Sequence, residues 1–218
     1  MVARVVAGGL QASGLGMNQR LAQFLHDLYA EGAAHDAREP NRLLKRRNLE
    51  PDTADLLSLI VRIAAARSVV EIGTSNGYSA IWLAEAVADT GGHVVSVDTA
   101  AADDARANLA RADSLQPGIA ARVEFAQEDG GAYLKRLADG SVDMLFLDGE
   151  RVEYMAWWPH PARVLRRGGV LAIDNVLSHP DEVAPFLPLL ADEFAGATVA
   201  VGKGLHLAWR RPEAYPEA

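Results

Sequence analysis

Between Gln19 and Ala30, Leu21, Phe24, Leu25 and Leu28 recur at helical spacing, which predicts a first helix. The stretch 33–50 is polar and charged around Pro40 and reads as a loop or short helix. Pro51 and Asp52 open a second helix with Leu56, Leu57, Ile60, Val61 and Ala64 as its apolar face. Beyond it, short apolar runs alternate with helical ones. Strands are predicted at 68–73, 93–98, 122–127, 141–148 and 168–175, and helices at 79–88, 101–112, 131–138 and 152–165, the last distorted or interrupted by Pro159 and Pro161. A proline-marked helix at 181–194 precedes strands at 197–202 and 204–210. Only about GKG separates those two strands, so they must form a hairpin and bring in an antiparallel edge strand. The pattern predicts an α/β fold: a seven-stranded, mostly parallel sheet with an antiparallel last strand and helices on both faces.

With 218 residues, half of them hydrophobic, the chain can bury one sizeable core. The expected division is an N-terminal helical extension over 1–50 and a main domain over 51–218. A net charge of −8 opposes nucleic-acid binding, and the basic run LLKRR at 43–47 reads as a solvated helical face. The absence of cysteine excludes disulfides, thiolate zinc sites and a cysteine nucleophile. The broken apolar N-terminus is a poor signal sequence, and no apolar run reaches the roughly 18 residues of a membrane span. A cytoplasmic protein is the expectation. The tail RRPEAYPEA is expected to fray.

Candidate chemistry gathers at strand ends, where open α/β sheets bind their ligands. Glu71, Asp98, Glu128–Asp129, Asp148 and Asp174 all stand at or near such ends. The first strand runs into EIGTSNGYS, whose Gly73 and Gly77 are four apart with Ser75 between them. A dinucleotide fingerprint needs glycines at relative positions 0, 2 and 5, so this spacing disfavours a nicotinamide cofactor. It fits the looser E-x-G-x-G-x-G loop of S-adenosylmethionine (SAM)-dependent methyltransferases, with the central glycine replaced. Gly73 lets the chain turn off the strand, and Gly77 clears the approach to backbone N–H groups at a helix start. Asp98 is placed to accept both ribose hydroxyls, and Asp129, followed by Gly130, stands where an adenine amino group would lie. The competing reading is that the glycines only shape a βα turn.

Asp148 ends the apolar run MLFLD, and a carboxylate there is costly without a partner. If the fourth and fifth strands are neighbours, Asp148, Asp174 and Asn175 converge. Two carboxylates and an amide oxygen make a hard site suited to Mg²⁺, Ca²⁺ or Mn²⁺. The alternative is that the aspartates cap the following helices.

The segments VVEIGTSNGYSAIWLAEAV, VSVD, LFLDGERVEY and GGVLAIDNV, in this order, resemble the cation-dependent O-methyltransferases, whose best-known members act on catechols and caffeoyl-coenzyme A. The resemblance runs from about Leu49 to Arg210. It implies a Rossmann-like class I methyltransferase fold, SAM as cofactor, and a divalent cation on Asp148, Asp174 and Asn175. Glu71, Gly73, Tyr78 and Ser79 match positions around the methionine part of the cofactor, with Ser75, Gly77, Asp129, Gly130 and Asp148 beside them, and Asp98 matches the ribose-binding acid. It further implies a small, aromatic, catechol-like acceptor, a pocket built from the N-terminal segment and the loops after the fourth and fifth strands, and a homodimer. Tyr154, Trp157 and Trp158 are candidates to line that pocket, although helix packing explains the tryptophans equally well.

One residue departs from the D-x-x-K-x-x-Y pattern: Arg151 replaces the lysine. An arginine effectively cannot act as the base. Three readings follow. The metal alone suffices and Arg151 stabilises the oxyanion; another residue, His179 first and Glu150 second, takes the proton; or Arg151 binds an acid group of the acceptor. Metal-independent methyl transfer to a different acceptor, and a cofactor-binding protein with weak catalysis, remain the alternatives.

Overall fold

The computed structural model describes residues 16–212. Seven strands form one sheet: β1 (Ser68–Ile72), β2 (His93–Asp98), β3 (Val123–Gln127), β4 (Val142–Leu147), β5 (Leu165–Ile173), β6 (Phe194–Val199) and β7 (Leu205–Arg210). Their order is β3-β2-β1-β4-β5-β7-β6, with β1 to β5 parallel and β7 antiparallel to both its neighbours. The winding direction reverses between β1 and β4, the place where such sheets open a ligand crevice.

Side chains alternate across the sheet with the strand period of two. Val69, Met144, Phe146 and Ala172 face a core shared with α1 (Gln19–Asp36), α2 (Pro51–Ile63), α3 (Tyr78–Thr90) and α4 (Asp103–Leu115). Val70, Ile72, Leu145, Leu147, Leu171 and Ile173 face the other core, closed by α5 (Gly130–Arg136) and by short α6 (Tyr154–Trp157), α7 (His160–Val164) and α8 (Pro180–Val183). Leu21, Phe24, Leu25 and Leu28 of α1 enter the same core as α2 and α3.

The structure corrects two expectations, the edge placement of the antiparallel strand and the helix at 181–194. The antiparallel strand is not the edge, because β7 inserts between β5 and β6 and leaves β6 outside. The helix at 152–165 is interrupted, as its prolines led one to expect: it splits into a 3₁₀ turn and two short helices around a cis Trp158–Pro159 bond. The helix at 181–194 reduces to α8 and a 3₁₀ turn at Leu187–Leu190, since Pro185 and Pro188 lack the N–H groups a continuous helix needs. The tail expected to fray lies, from residue 213, outside the described residues.

Glu71 sits on the first face of β1 with no solvent contact, directly across from Ser96 of β2. The Ser96 hydroxyl donates to Glu71 Oε2 at 2.5 Å, and the Thr74 hydroxyl lies 2.7 Å from Ser96 Oγ. Burial pushes the Glu71 carboxyl up to about 7, against the opposing hydrogen bonds of Ser79 and Ser96. Folding thus favours the protonated acid. This contribution is complete below the unfolded value and is lost as pH rises through about 7, a loss of at most about 3 kcal/mol. Thermal melts of ligand-free Glu71→Gln protein should therefore fall less between pH 5 and pH 8 than those of the wild type. Parallel curves for the two proteins would contradict this assignment.

Candidate active site

A cleft of about 720 Å³ opens along the carboxyl ends of β1, β2, β3 and β4. Its floor depends on close backbone approach. Gly73 turns off β1 at φ +114°, and a Cβ there would lie 2.6 Å from the carbonyl oxygen of Asp148, at the end of neighbouring β4. Gly77 caps α3 in the left-handed region at φ +80°. Ser75 adopts φ +48°, which explains why a glycine would suit the position and shows that serine tolerates it.

Asp98 borders the cleft with its carboxylate already engaged. Its Oδ2 accepts the N–H groups of Thr74 at 3.0 Å and Ser75 at 3.2 Å, and Oδ1 that of Ala100 at 2.9 Å. A carboxylate offers about four acceptor sites, so one remains for a ligand hydroxyl, not two. Asp129 also borders the cleft, yet its Oδ1 caps α5 through the N–H of Ala132 at 2.8 Å. Gly130 rests on the Trp157 ring, leaving no room for a side chain between them.

The metal candidates do converge. Asn175 Nδ2 donates to Asp148 Oδ1 at 3.0 Å and to Asp174 Oδ2 at 2.7 Å. Asp174 Oδ1 is buried with no partner among the described residues. Burial, then the charges of Asp174 and Glu71, hold the Asp148 carboxyl well above its ordinary range; burial lifts Asp174 to about 6. Asn175 is itself in the left-handed region at φ +66°. Rotating its amide by half a turn would present a third oxygen to the two carboxylates. Among the described residues no three His, Asp or Glu side chains gather as a metal site, so a cation here would rest on this mixed set. A hard divalent ion fits its chemistry.

Arg151 is almost fully buried, and its Nε donates to Glu182 Oε2 at 2.8 Å. The guanidinium borders the cleft, and its terminal nitrogens have no protein partner among the described residues. His179 borders the cleft as well, with Nδ1 2.9 Å from Ser178 Oγ. Burial, then the Arg151 charge, lower its pKa from 6.5. Glu150 is poorly placed to take a proton: Arg42 and Arg47 hold it at 2.8 and 3.0 Å, and their charges lower its pKa despite partial burial.

Arg47 belongs to the basic run read as a solvated helical face, and Arg42 directly precedes that run. Instead the segment lines the cleft as a strap, with a 3₁₀ turn at Arg42–Leu44. Ser75 Oγ donates to the Arg46 carbonyl at 2.6 Å, and Arg46 pairs with Asp104. Acidic partners far apart in the chain pull the run down onto the body, which local patterning does not reveal.

Tyr78, Ser79 and Gly73 line the cleft, whereas Glu71, Gly77 and Asp174 stand behind its wall. Of Tyr154, Trp157 and Trp158, the candidates for the acceptor pocket, Trp157 reaches it and the other two do not. Tyr154 is fully buried against Trp157 and Phe186, and Trp158 packs on Phe186, so both serve the core. The sequence reading missed Glu182, Thr74, Ser96 and the pair formed by Glu50 and Lys203, whose Nζ lies 2.7 Å from Glu50 Oε1 at the cleft. None belongs to a local motif.

Comparison with known proteins finds relatives in both sequence and fold. A catechol O-methyltransferase of Mycobacterium tuberculosis is 37% identical over 152 residues, covering 69% of this chain and 64% of that protein, so the match spans just under two thirds of its length. The O-methyltransferase of Bacillus cereus in complex with S-adenosylhomocysteine (SAH) superposes with a TM-score of 0.71 at 25% identity, covering 87% of this chain and 91% of its own. The O-methyltransferase TomG of Streptomyces achromogenes, involved in tomaymycin synthesis and solved with SAM, gives 0.66 at 25% identity, covering 90% and 91%. The O-methyltransferase family pattern matches residues 22–185, well over half of the chain. This protein belongs to the O-methyltransferase family.

Proposed function

We propose that the protein moves the methyl group of SAM to a hydroxyl of a small, catechol-like aromatic acceptor, with a divalent cation held by Asp148, Asp174 and Asn175. The observation that carries the reading is the junction of two strand-end carboxylates through one amide, with a buried Asp174 oxygen left unpartnered. A bound cation supplies Lewis acidity toward an acceptor hydroxyl, and SAM supplies the electrophilic methyl group. The chain contributes positioning and charge. Asp98 offers its remaining acceptor site to one ribose hydroxyl, and the glycine loop lets the cofactor approach the start of α3. Glu182 fixes the plane of Arg151, whose free nitrogens stabilise negative charge on the acceptor oxygen. His179, neutral at pH 7 by its lowered pKa, takes up the hydroxyl proton.

Calorimetry should show SAM and SAH binding and no NAD binding. Asp98→Ala should weaken SAH roughly tenfold or more, through a lost charged hydrogen bond and a loosened loop. NAD binding without any response to SAH would overturn the cofactor assignment.

Methylation of a catechol should stop in chelator and return with Mg²⁺. Asp174→Asn should abolish the Mg²⁺-dependent rate while SAH affinity stays near wild type. Acidification protonates Asp174, so the Mg²⁺ concentration giving half the full rate should climb as pH falls below about 6. A full rate in chelator would remove the cation from the reaction.

His179→Ala should lower kcat by about a hundredfold with SAH affinity unchanged. Wild-type kcat in that variant would leave proton removal to solvent.

A further inference from the structure

The Gly-Lys-Gly run that marks the β6–β7 hairpin does more than turn the chain. Gly202 and Gly204 lie at φ +52° and φ +94°, conformations that favour glycine. A Cβ at Gly202 would strike Thr53 Oγ1 at 2.3 Å, and one at Gly204 would strike the Leu177 side chain at 2.4 Å and its backbone nitrogen at 2.8 Å. The two glycines therefore press the turn between the start of α2 and the loop after β5. The Lys203 carbonyl accepts the N–H groups of Leu177 and Ser178, both at 3.1 Å, and the Gly204 carbonyl that of Val176 at 3.0 Å. This ties Lys203 to the loop that continues directly from Asp174–Asn175.

Its side chain enters the cleft on that side, where Glu50 holds the ammonium at 2.7 Å. The positive charge reaches Asp148 and Asp174 and favours the ionised form of both. Burial weakens the ammonium, but the Glu50 contact outweighs it and keeps Lys203 a cation and not a base. An ionised acceptor hydroxyl meeting two carboxylates needs positive charge around it. Arg151 supplies one such group from the β4 side, and nothing in the local sequence marks a second.

We propose that Lys203, tethered by Glu50 and carried on the glycine-flanked hairpin, is a further residue of the acceptor site whose ammonium binds the acceptor's ionised hydroxyl oxygen. This rests on the catechol O-methyltransferase reading above. A lysine suits the role, as a compact charge on a flexible stem with two N–H groups free after the Glu50 contact.

The test is a spectrophotometric pH titration of 4-nitrocatechol, whose phenolate is coloured, bound to the protein with SAH and Mg²⁺. Lys203→Met should raise the apparent pKa of the bound probe by about one unit and weaken its binding at neutral pH about tenfold, with SAH affinity unchanged. Lys203→Arg should restore most of the ionisation, and Lys203→Gln should behave like Lys203→Met. Wild-type ionisation and affinity in Lys203→Met and Lys203→Gln would overturn the assignment while leaving the methyltransferase reading intact. So would equal losses of probe and SAH affinity, which mark a purely structural hairpin. A wild-type protein that binds SAH but not 4-nitrocatechol would defeat the catechol reading, and the Lys203 assignment with it.

Discussion

Crowding of negative charge at the carboxyl edge of the sheet is the constraint on which the site depends. Glu71, Asp148 and Asp174 end or nearly end β1, β4 and β5, where neighbouring parallel strands bring them together, Glu71 and Asp174 buried and Asp148 at the cleft wall. Each is pushed toward its protonated form by burial, and the Asp148 carboxyl is raised further by the other two. Such an arrangement persists only if something positive completes it. Arg151 and Lys203 border the same space, and our account adds a divalent ion and the sulfonium of the cofactor. The acidic cluster is thus unfavourable to the empty protein and useful to the loaded one.

The backbone makes this crowding possible. Gly73 and Asn175 take left-handed conformations that bring two strand ends close enough for one amide to bridge two carboxylates. Along the cleft, the strap of residues 42–47 is anchored by Glu150, Ser75 and Asp104, so the N-terminal segment, the glycine loop and the loop after β4 are tied together there. The exposed Leu44 of the strap stands at the same cleft as exposed, charged groups, a mixed surface suited to an amphipathic acceptor.

Much of this was legible in the sequence because it is local. Period-two apolar runs located the strands, the glycine loop followed directly from β1, and Asp148, Asp174 and Asn175 are strand-end residues that parallel neighbours must bring together. What stayed hidden is long-range. Glu182 reaches Arg151 from 31 residues away, and Arg42 reaches Glu150 from 108. Lys203 looked like the middle of a hairpin turn because its partner Glu50 lies on another element. The helix expected at 181–194 failed where proline outweighed apolar periodicity, whereas the break in 152–165 was legible from Pro159 and Pro161. Asp129 caps α5 and also borders the cleft, a dual placement that strand-end position alone does not reveal.

The central claim is that the strand-end carboxylates form a cation site kept partly protonated until it is filled. Calorimetric titration of the SAH-loaded protein with Mg²⁺ near pH 6, in two buffers of different protonation enthalpy, measures both halves at once. The account predicts saturable Mg²⁺ binding with release of protons to the buffer, and loss of the binding in Asp174→Asn. No Mg²⁺ binding, or binding with no proton release, would contradict it.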